Sequence, residues 1–301
     1  MYAAPARLVV AVLGASALVG ALAACTTTTP TSPSTQTSVV TTSAGASTGP
    51  TTSRSTTGPT GSTPVTTASP SAQVVVPVYY IAEPDPKAGP RLYREFRSVS
   101  PHPAGPIGAA VTAMLSLPPL DPDYANGWSG VSLRSVHRAA DVVTVDLSGW
   151  GGWGAAYEGA AVQQLVYTVT AADTSVTGVR ITVNGAAPPS GHLDLRGVQR
   201  RGNALSTVGL VWILTPQQGA TSGSPVTVTV YGTGFEGHTP LKVFRGGTEV
   251  ASTFVTTAMG SFAEASTTIT LPPGDYELRA YTDNAENGTL RLWDTKAFTV
   301  R

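Results

Sequence analysis

The stretch AVQQLVYTVTAADTSVTGVRITVNG, residues 161–185, decides how the first part of the chain folds, because its pattern changes halfway along. Its first half carries apolar residues at helical spacing, which indicates one face of an α-helix. These residues are Val162, Leu165, Val166 and Val169. Residues 179–183 are rich in β-branched side chains and predict a strand that ends at Asn184-Gly185. A helix followed directly by a strand predicts helices packed on a sheet.

The residues before this stretch continue the same alternation of strands and helices. Runs of β-branched and aromatic residues predict four strands, at 74–81, 91–99, 131–137 and 142–147. Pro77 indicates that the first of them is an edge strand or begins later. Between the second and third strands, Pro106 suits the start of a helix and Pro118-Pro119 ends it. The predicted order is β-β-α-β-β-α-β, with two helices on one face of a mixed sheet and a short added strand at Leu193 to Leu195.

Beyond residue 211 the helical period disappears and short alternating runs follow one another. They are separated by Gly, Pro and Asn, which is typical of an all-β sandwich of about 90 residues. The predicted strands cover residues 211–214, 226–231, 241–244, 261–271, 276–281 and 291–300.

The N-terminus reads as an export signal that ends in Leu22-Ala23-Ala24-Cys25. A short start with the basic Arg7 precedes an uncharged apolar run over residues 8–24. The ending resembles the bacterial lipobox, and this resemblance implies cleavage between Ala24 and Cys25 and a lipid on Cys25, the only cysteine of the chain. A plain signal peptide with a chance cysteine and an uncleaved membrane anchor are the alternatives.

Residues 26–72 consist almost wholly of Thr, Ser, Pro, Gly and Ala. Such a segment cannot bury enough apolar surface to offset the entropy of ordering it, so we expect a disordered tether. Hydroxyl groups beside prolines are typical of O-glycosylated stalks, and an unmodified linker explains the same composition.

Two further groups of motifs carry a resemblance to known families. Gly105-Pro106 with the following SLPP, VTVDLS at residues 143–148 and the opening stretch resemble the GerMN domain of sporulation and spore germination proteins. TPQQG at 215–219 and SPVTVTVYG at 224–232 resemble the immunoglobulin-like domain of bacterial spore germination proteins. The fold class this implies is α+β with two domains, a mixed-sheet α/β GerMN-like domain and an immunoglobulin-like β-sandwich. The resemblance implies no catalytic residues.

The expected organisation has five parts. They are a signal peptide (1–24), the lipidated cysteine with its tether (25–72), the GerMN-like domain (73–195), a connector (196–208) and the immunoglobulin-like sandwich (209–301). Net charge is zero and the pI is near 6.9, which argues against a nucleic-acid partner.

Few residues in the sequence suggest chemistry. We expect no cofactor and no catalytic residues. Asp121 and Asp123 are interpreted as solvated loop acids, and Ser148, His137 and Asp141 as a chance triad composition. Asp283 and Glu286 are candidates for a metal site, and a turn built on Asn287-Gly288 is the favoured alternative.

The glycine-rich loop between strand 142–147 and the second helix holds two tryptophans and is the candidate binding loop. Its residues are Trp150, Gly151, Gly152 and Trp153. Tryptophans on such a loop could stack on a sugar or enter a partner's groove, and packing over the sheet edge is the alternative.

The function expected from the sequence is that of a cell-envelope lipoprotein, held by its lipid on the extracytoplasmic face of the bacterial cell membrane. It would act as a non-catalytic interaction or assembly scaffold for an envelope protein. A module that binds peptidoglycan or another cell-wall glycan and an envelope enzyme with a site between the two domains are the alternatives.

Overall fold

The computed structural model describes residues 72–84, 86–189, 191–284 and 287–301 of the 301-residue chain. The predictions that concern the signal peptide, Ala24, Cys25, the tether up to residue 71 and Glu286 lie outside the described residues. None of the helices within the described ranges combines the length and apolarity needed to cross a membrane.

The described part of the first domain contains five strands and two long helices in the order the sequence predicts. The elements are β1 (Val74–Ala82), β2 (Arg91–Val99), α1 (Gly105–Ser116), β3 (Leu133–Ala139), β4 (Val142–Leu147), α2 (Ala155–Ala172) and β5 (Gly178–Val183). A short helix, α3 (Ala204–Thr207), lies in the connector.

Eight strands are found among the described residues of the second domain. They are β6 (Val211–Thr215), β7 (Ala220–Ser222), β8 (Val226–Gly232), β9 (His238–Arg245), β10 (Thr248–Thr256), β11 (Ala263–Ile269), β12 (Gly274–Asp283) and β13 (Leu290–Val300). One sheet has the order β10-β9-β12-β13-β7 and the other β11-β8-β6, and their buried faces enclose a second hydrophobic core. The predicted sandwich is therefore confirmed, although β7 and β10 were not recognised in the sequence.

The first domain holds two separate sheets where a single mixed sheet was expected. β1 and β2 form an antiparallel hairpin, whereas β3, β4 and β5 form a mixed sheet with β4 and β5 parallel. The hairpin does not join the second sheet because the other edge of β1 is already occupied. Ile81 exchanges backbone hydrogen bonds with Ala125, and the backbone of Tyr79 bonds to side chains of α2.

The short strand expected at Leu193 to Leu195 is absent from the described structure. Leu195 is buried in the first core, but the edge of β5 is instead met by Gln199, which exchanges two backbone hydrogen bonds with Val179. The connector therefore packs against the first domain at Leu195 and meets the edge of β5 at Gln199.

Candidate functional site at the seam between the two domains

The two domains meet along a surface that we call the seam. It is formed by β2 and residues 120–125 on one side and by β6 and β13 on the other. Both domains lie in one compact unit, and Trp212 and Leu214 of β6 belong to the hydrophobic core of the first domain. The ring of Trp212 contacts Tyr93 of β2 edge-on at 6.2 Å, and both side chains are buried. The first core is therefore completed by residues of the second domain.

The seam also covers the outer edge of β2. Gly209 donates a backbone hydrogen bond to the Leu92 carbonyl at 3.1 Å, and the side-chain oxygen of Gln217 accepts a hydrogen bond from the Phe96 amide at 2.8 Å. An uncovered strand edge presents unpaired amide and carbonyl groups and is a template for aggregation. The second domain and the connector thus satisfy backbone groups that the β1–β2 hairpin cannot satisfy alone.

A buried cluster of charged groups lies inside the seam, and Lys296 is at its centre. The Lys296 ammonium donates to Asp121 Oδ2 at 2.6 Å, to Asp294 Oδ1 at 2.7 Å and to the Tyr124 hydroxyl at 2.8 Å. Tyr124 in turn donates to Asp294 Oδ1, and the Ile213 amide donates to Asp294 Oδ2, both at 2.7 Å. Asp121 and Tyr124 come from the first domain, so these bonds join the two domains.

Burial and neighbouring charges raise the pKa values of three groups in this cluster. Lys296 is only 2% exposed, and two carboxylates surround one ammonium. Burial acts to lower the pKa of Lys296, but the attraction of Asp294 and Asp121 outweighs it, and the pKa lies above its ordinary value. Burial raises the pKa of Asp294, and burial with the adjacent Asp294 raises that of Tyr124 well above 10. Lys296 is therefore charged at neutral pH.

The loop that carries Asp121 is fixed by another buried carboxylate, Glu95 of β2. Glu95 accepts hydrogen bonds from the Leu120 and Asp121 amides at 2.9–3.0 Å and forms an ion pair with Arg97 at 3.0 Å. The interpretation of Asp121 as a solvated acid is wrong, since it is 1% exposed and paired with Lys296. Asp123 is exposed as expected and accepts a hydrogen bond from Thr295 across the seam.

A cavity of about 260 Å³ lies at the surface end of the seam. Its lining combines the end of β1 with residues of the loop and of β13: Ala82, Glu83, Pro84, Asp123, Tyr124, Leu292, Trp293, Asp294 and Thr295. Glu83 accepts a hydrogen bond from Tyr157, and Asp294 is held by the bonds of the cluster. The charged groups of this wall thus already have partners within the protein.

The candidate binding loop packs around a third tryptophan that sequence reasoning did not single out. Trp128 is buried and donates to the Ala161 carbonyl at 3.0 Å. Trp150 and Trp153 are half-buried, and their rings lie 5.3 and 4.6 Å from that of Trp128 and 5.1 Å from each other. Trp153 also donates to the Gly127 carbonyl. The loop therefore presents a supported aromatic cluster, with parts of two indoles facing solvent.

The intervening glycines have different surroundings. A side chain at Gly151 would collide with the Trp153 ring, whereas Gly152 is exposed and has open space beside it. Gly151 therefore allows the Trp153 ring to fold back against the loop.

The other residues considered from the sequence are engaged elsewhere. Asp283 Oδ2 lies 2.7 Å from Nδ1 of His238, and among the described residues no group of three or more potential metal ligands occurs. In the chance triad, the Ser148 hydroxyl is hydrogen-bonded to Ser132 and the Asp141 carboxylate to Thr177. These partners are not His137.

Sequence reasoning missed Asp294 and Lys296, although a signal was present. From Asp294 to Val300 every second residue of β13 is buried, so the two charged residues share the inward face with Phe298 and Val300. Charged side chains at inward positions of a strand are costly unless they are paired, and this predicts a buried partner. Nothing in the sequence identifies Asp121 as that partner, since 175 positions separate it from Lys296.

Comparison with known proteins identifies both domains. Residues 77–188 match a family model described as sporulation and spore germination, and residues 210–289 match one described as the immunoglobulin-like domain of bacterial spore germination. No curated protein matches the chain.

The solved structures found by comparison have low sequence identity to this chain and TM-scores below 0.5. The tandem GerMN domains of the sporulation protein GerM from Bacillus subtilis are 18% identical, with a TM-score of 0.34, over 48% of this chain and 49% of that one. The match thus spans about half of the tandem protein. The first GerMN domain of GerM is 15% identical, with a TM-score of 0.32, over 42% and 98%. Fibronectin(III)-like modules of CbhA from Clostridium thermocellum are 19% identical, with a TM-score of 0.23, over 30% and 93%.

Proposed function

We propose that this chain, which carries a sporulation and spore germination domain followed by an immunoglobulin-like domain of the bacterial spore germination type, acts as a non-catalytic assembly scaffold in the cell envelope. In this proposal a lipid on Cys25 anchors it to the extracytoplasmic face of the membrane. The two domains would present one composite surface to an envelope protein.

The seam is the observation that carries this proposal. A shared hydrophobic core and a buried ion cluster fix the two domains against each other, as a scaffold that must hold its partner in a defined geometry would require. Buried ion pairs are retained in some proteins because they specify one arrangement among several apolar alternatives. The cluster groups are bonded to one another, which favours a structural role for them over catalysis.

In-cell crosslinking of the full-length chain, followed by affinity purification and mass spectrometry, tests the scaffold role. A variant without the second domain is a poor control because it removes Trp212 and Leu214 from the first core. The Lys296→Met variant, checked for native circular dichroism, is a better one, with Lys242→Met at an exposed ion pair as the matched control. We expect one envelope protein to be captured by the wild type and by Lys242→Met and to be reduced with Lys296→Met. Equal capture by all three would refute a role for fixed domain geometry.

The anchor is tested separately. Metabolic labelling with a fatty-acid analogue should label the wild-type protein and not the Cys25→Ser variant. Labelling that persists in the variant would exclude a lipid on Cys25.

The aromatic cluster favours a second function, the binding of a cell-wall glycan. Half-buried indoles supported by Trp128 offer apolar ring surface at a fixed position, and aromatic side chains are common anchors of binding sites. We expect the Trp150→Ala variant to lose retention on isolated peptidoglycan while its circular dichroism spectrum stays native. The Tyr157→Ala variant, at an exposed residue near the same helix start, serves as a comparison. Unchanged retention by Trp150→Ala would remove the glycan proposal.

A further inference from the structure

A cavity of about 390 Å³ lies on the first domain, where the connector passes the end of α2 and the start of β5. Two adjacent arginines and three threonines share its wall, and none of the lining residues is acidic. The lining residues are Thr170, Thr174, Val176, Thr177, Arg200 and Arg201. Guanidinium and hydroxyl groups in one cavity offer several hydrogen-bond donors to an anion.

The connector segment that carries the two arginines is fixed to α2. Gln163 of α2 donates a hydrogen bond to the Arg200 carbonyl at 3.0 Å and accepts one from the Gly202 amide at 2.8 Å. Tyr167, one turn further along the helix, donates to the Gly202 carbonyl at 3.1 Å. The backbone positions of both arginines are therefore set before any ligand binds.

The cavity wall orients each guanidinium group and leaves part of it unused. Arg200 Nη1 donates to the Thr177 carbonyl at 3.1 Å and to its hydroxyl at 2.5 Å. Arg201 Nε donates to Thr170 Oγ1 at 2.7 Å, and this guanidinium lies 4.6 Å from the centre of the Tyr167 ring. Within the described residues, no hydrogen bond is found for Nε and Nη2 of Arg200 or for Nη1 and Nη2 of Arg201. Each arginine thus keeps a pair of N–H groups that can bind two oxygens of one anion.

No carboxylate of the described residues forms an ion pair with either arginine. Two acids on neighbouring turns have other partners. Asp173 is paired with Arg138 at 2.6 Å, and Asp141 accepts a hydrogen bond from the Thr177 hydroxyl, which is the main cause of its lowered pKa. Capping of α2 does not account for the two arginines, since their described hydrogen bonds do not go to carbonyls of its last turn. The cavity thus gathers two positive charges without a directly paired counter-charge.

We propose that this cavity is a binding site for a phosphate group, either free phosphate or a phosphate monoester. Such a group carries a charge of about −1.5 to −2 at pH 7, which matches two guanidinium groups, whereas a carboxylate would balance only one. Its tetrahedral oxygens can accept hydrogen bonds from both pairs of N–H groups, and the exposed hydroxyl of Thr174 can donate to a further oxygen. None of the lining residues belongs to the seam or to the aromatic cluster, so this site is independent of the proposed scaffold role.

Isothermal titration calorimetry in phosphate-free buffer tests the site on the full-length chain, with inorganic phosphate and glycerol 3-phosphate as probes. We expect both probes to bind, and Arg200→Gln and Arg201→Gln each to weaken binding by about tenfold or more, because each variant loses charge-assisted hydrogen bonds. Arg180→Gln is the matched control, since it removes an exposed arginine of β5 outside the cavity wall, and it should bind like the parent. Tighter binding of glycerol 3-phosphate would assign the site to a monoester, and equal binding would assign it to free phosphate.

The Thr174→Val variant keeps the proposal testable if an arginine variant loses its fold. Thr174 is exposed and no hydrogen bond of its side chain is found in the described structure, so the circular dichroism spectrum should stay native. We expect its affinity for phosphate to fall by about three- to tenfold. Acetate at the same ionic strength should bind at least about tenfold more weakly than phosphate. A parent that binds neither probe, equal binding of acetate, cavity variants that bind like the parent, or an equal loss with Arg180→Gln would overturn the proposal.

Discussion

Replacing Lys296 with methionine tests how strongly the buried cluster stabilises the protein. Methionine keeps most of the side-chain volume but removes contacts to Asp121, Asp294 and Tyr124 at 2.6–2.8 Å. Both carboxylates then stay buried without a counter-charge, since they are 1% and 4% exposed. Breaking a buried pair by removing one partner costs about 3–5 kcal/mol. For two domains that unfold together, this corresponds to a loss of about 6–20 °C in Tm.

The measurement is thermal and urea unfolding followed by circular dichroism. The Lys242→Met variant is the control, because its pair with Glu249 is exposed, and we expect no measurable change there. A triple variant with Asp121→Asn, Asp294→Asn and Lys296→Met should recover most of the loss, because it leaves no uncompensated buried charge. A Tm within about 2 °C of the wild type for Lys296→Met would show that the reasoning is wrong.

Three further predictions concern the same seam. The stabilisation from Lys296 should be complete below pH 10.5 and should be lost as the pH rises through its raised folded-state pKa, so the urea midpoints of wild type and Lys296→Met should converge at alkaline pH. A difference between the two urea midpoints that stays constant as the pH rises would argue against this pH dependence. Gly209→Ala places a methyl group 2.6 Å from the Tyr93 ring and should cost about 1–3 kcal/mol in urea unfolding, whereas Gly223→Ala, with open space beside it, should cost far less. Deletion of residues 209–301 should yield insoluble protein, because it uncovers β2 and removes part of the first core; a soluble, monomeric first domain would contradict this.

Much of the fold could be read from local patterns. The residues between 161 and 185 predicted a helix and a strand, and α2 and β5 lie there because apolar spacing reports directly which face of an element is buried. β10 escaped recognition because seven of its nine residues are exposed or polar, which weakens the alternation that marks a half-buried strand. The short β7 has only three residues and offers too little pattern to detect.

The candidate site was less predictable than the fold. Trp150 and Trp153 drew attention because tryptophan is rare and the glycines around it are unusual, but the supporting Trp128 lies more than 20 positions earlier. Asp121 was misinterpreted because its partner is also distant along the chain. Its neighbours are prolines and another aspartate, which are typical of an exposed loop, and its partner lies in another domain.

The sequence by itself determined the order of the elements, the division into an α/β part and a β-sandwich, and the family resemblance of each. These features depend on residues near one another along the chain, because secondary-structure propensity and the spacing of apolar residues are local properties. Only the tertiary structure decided that the two domains share a core and that Lys296 lies between Asp121 and Asp294. Such features depend on which distant surfaces meet, and burial energy selects that pairing across separations that local patterns do not encode.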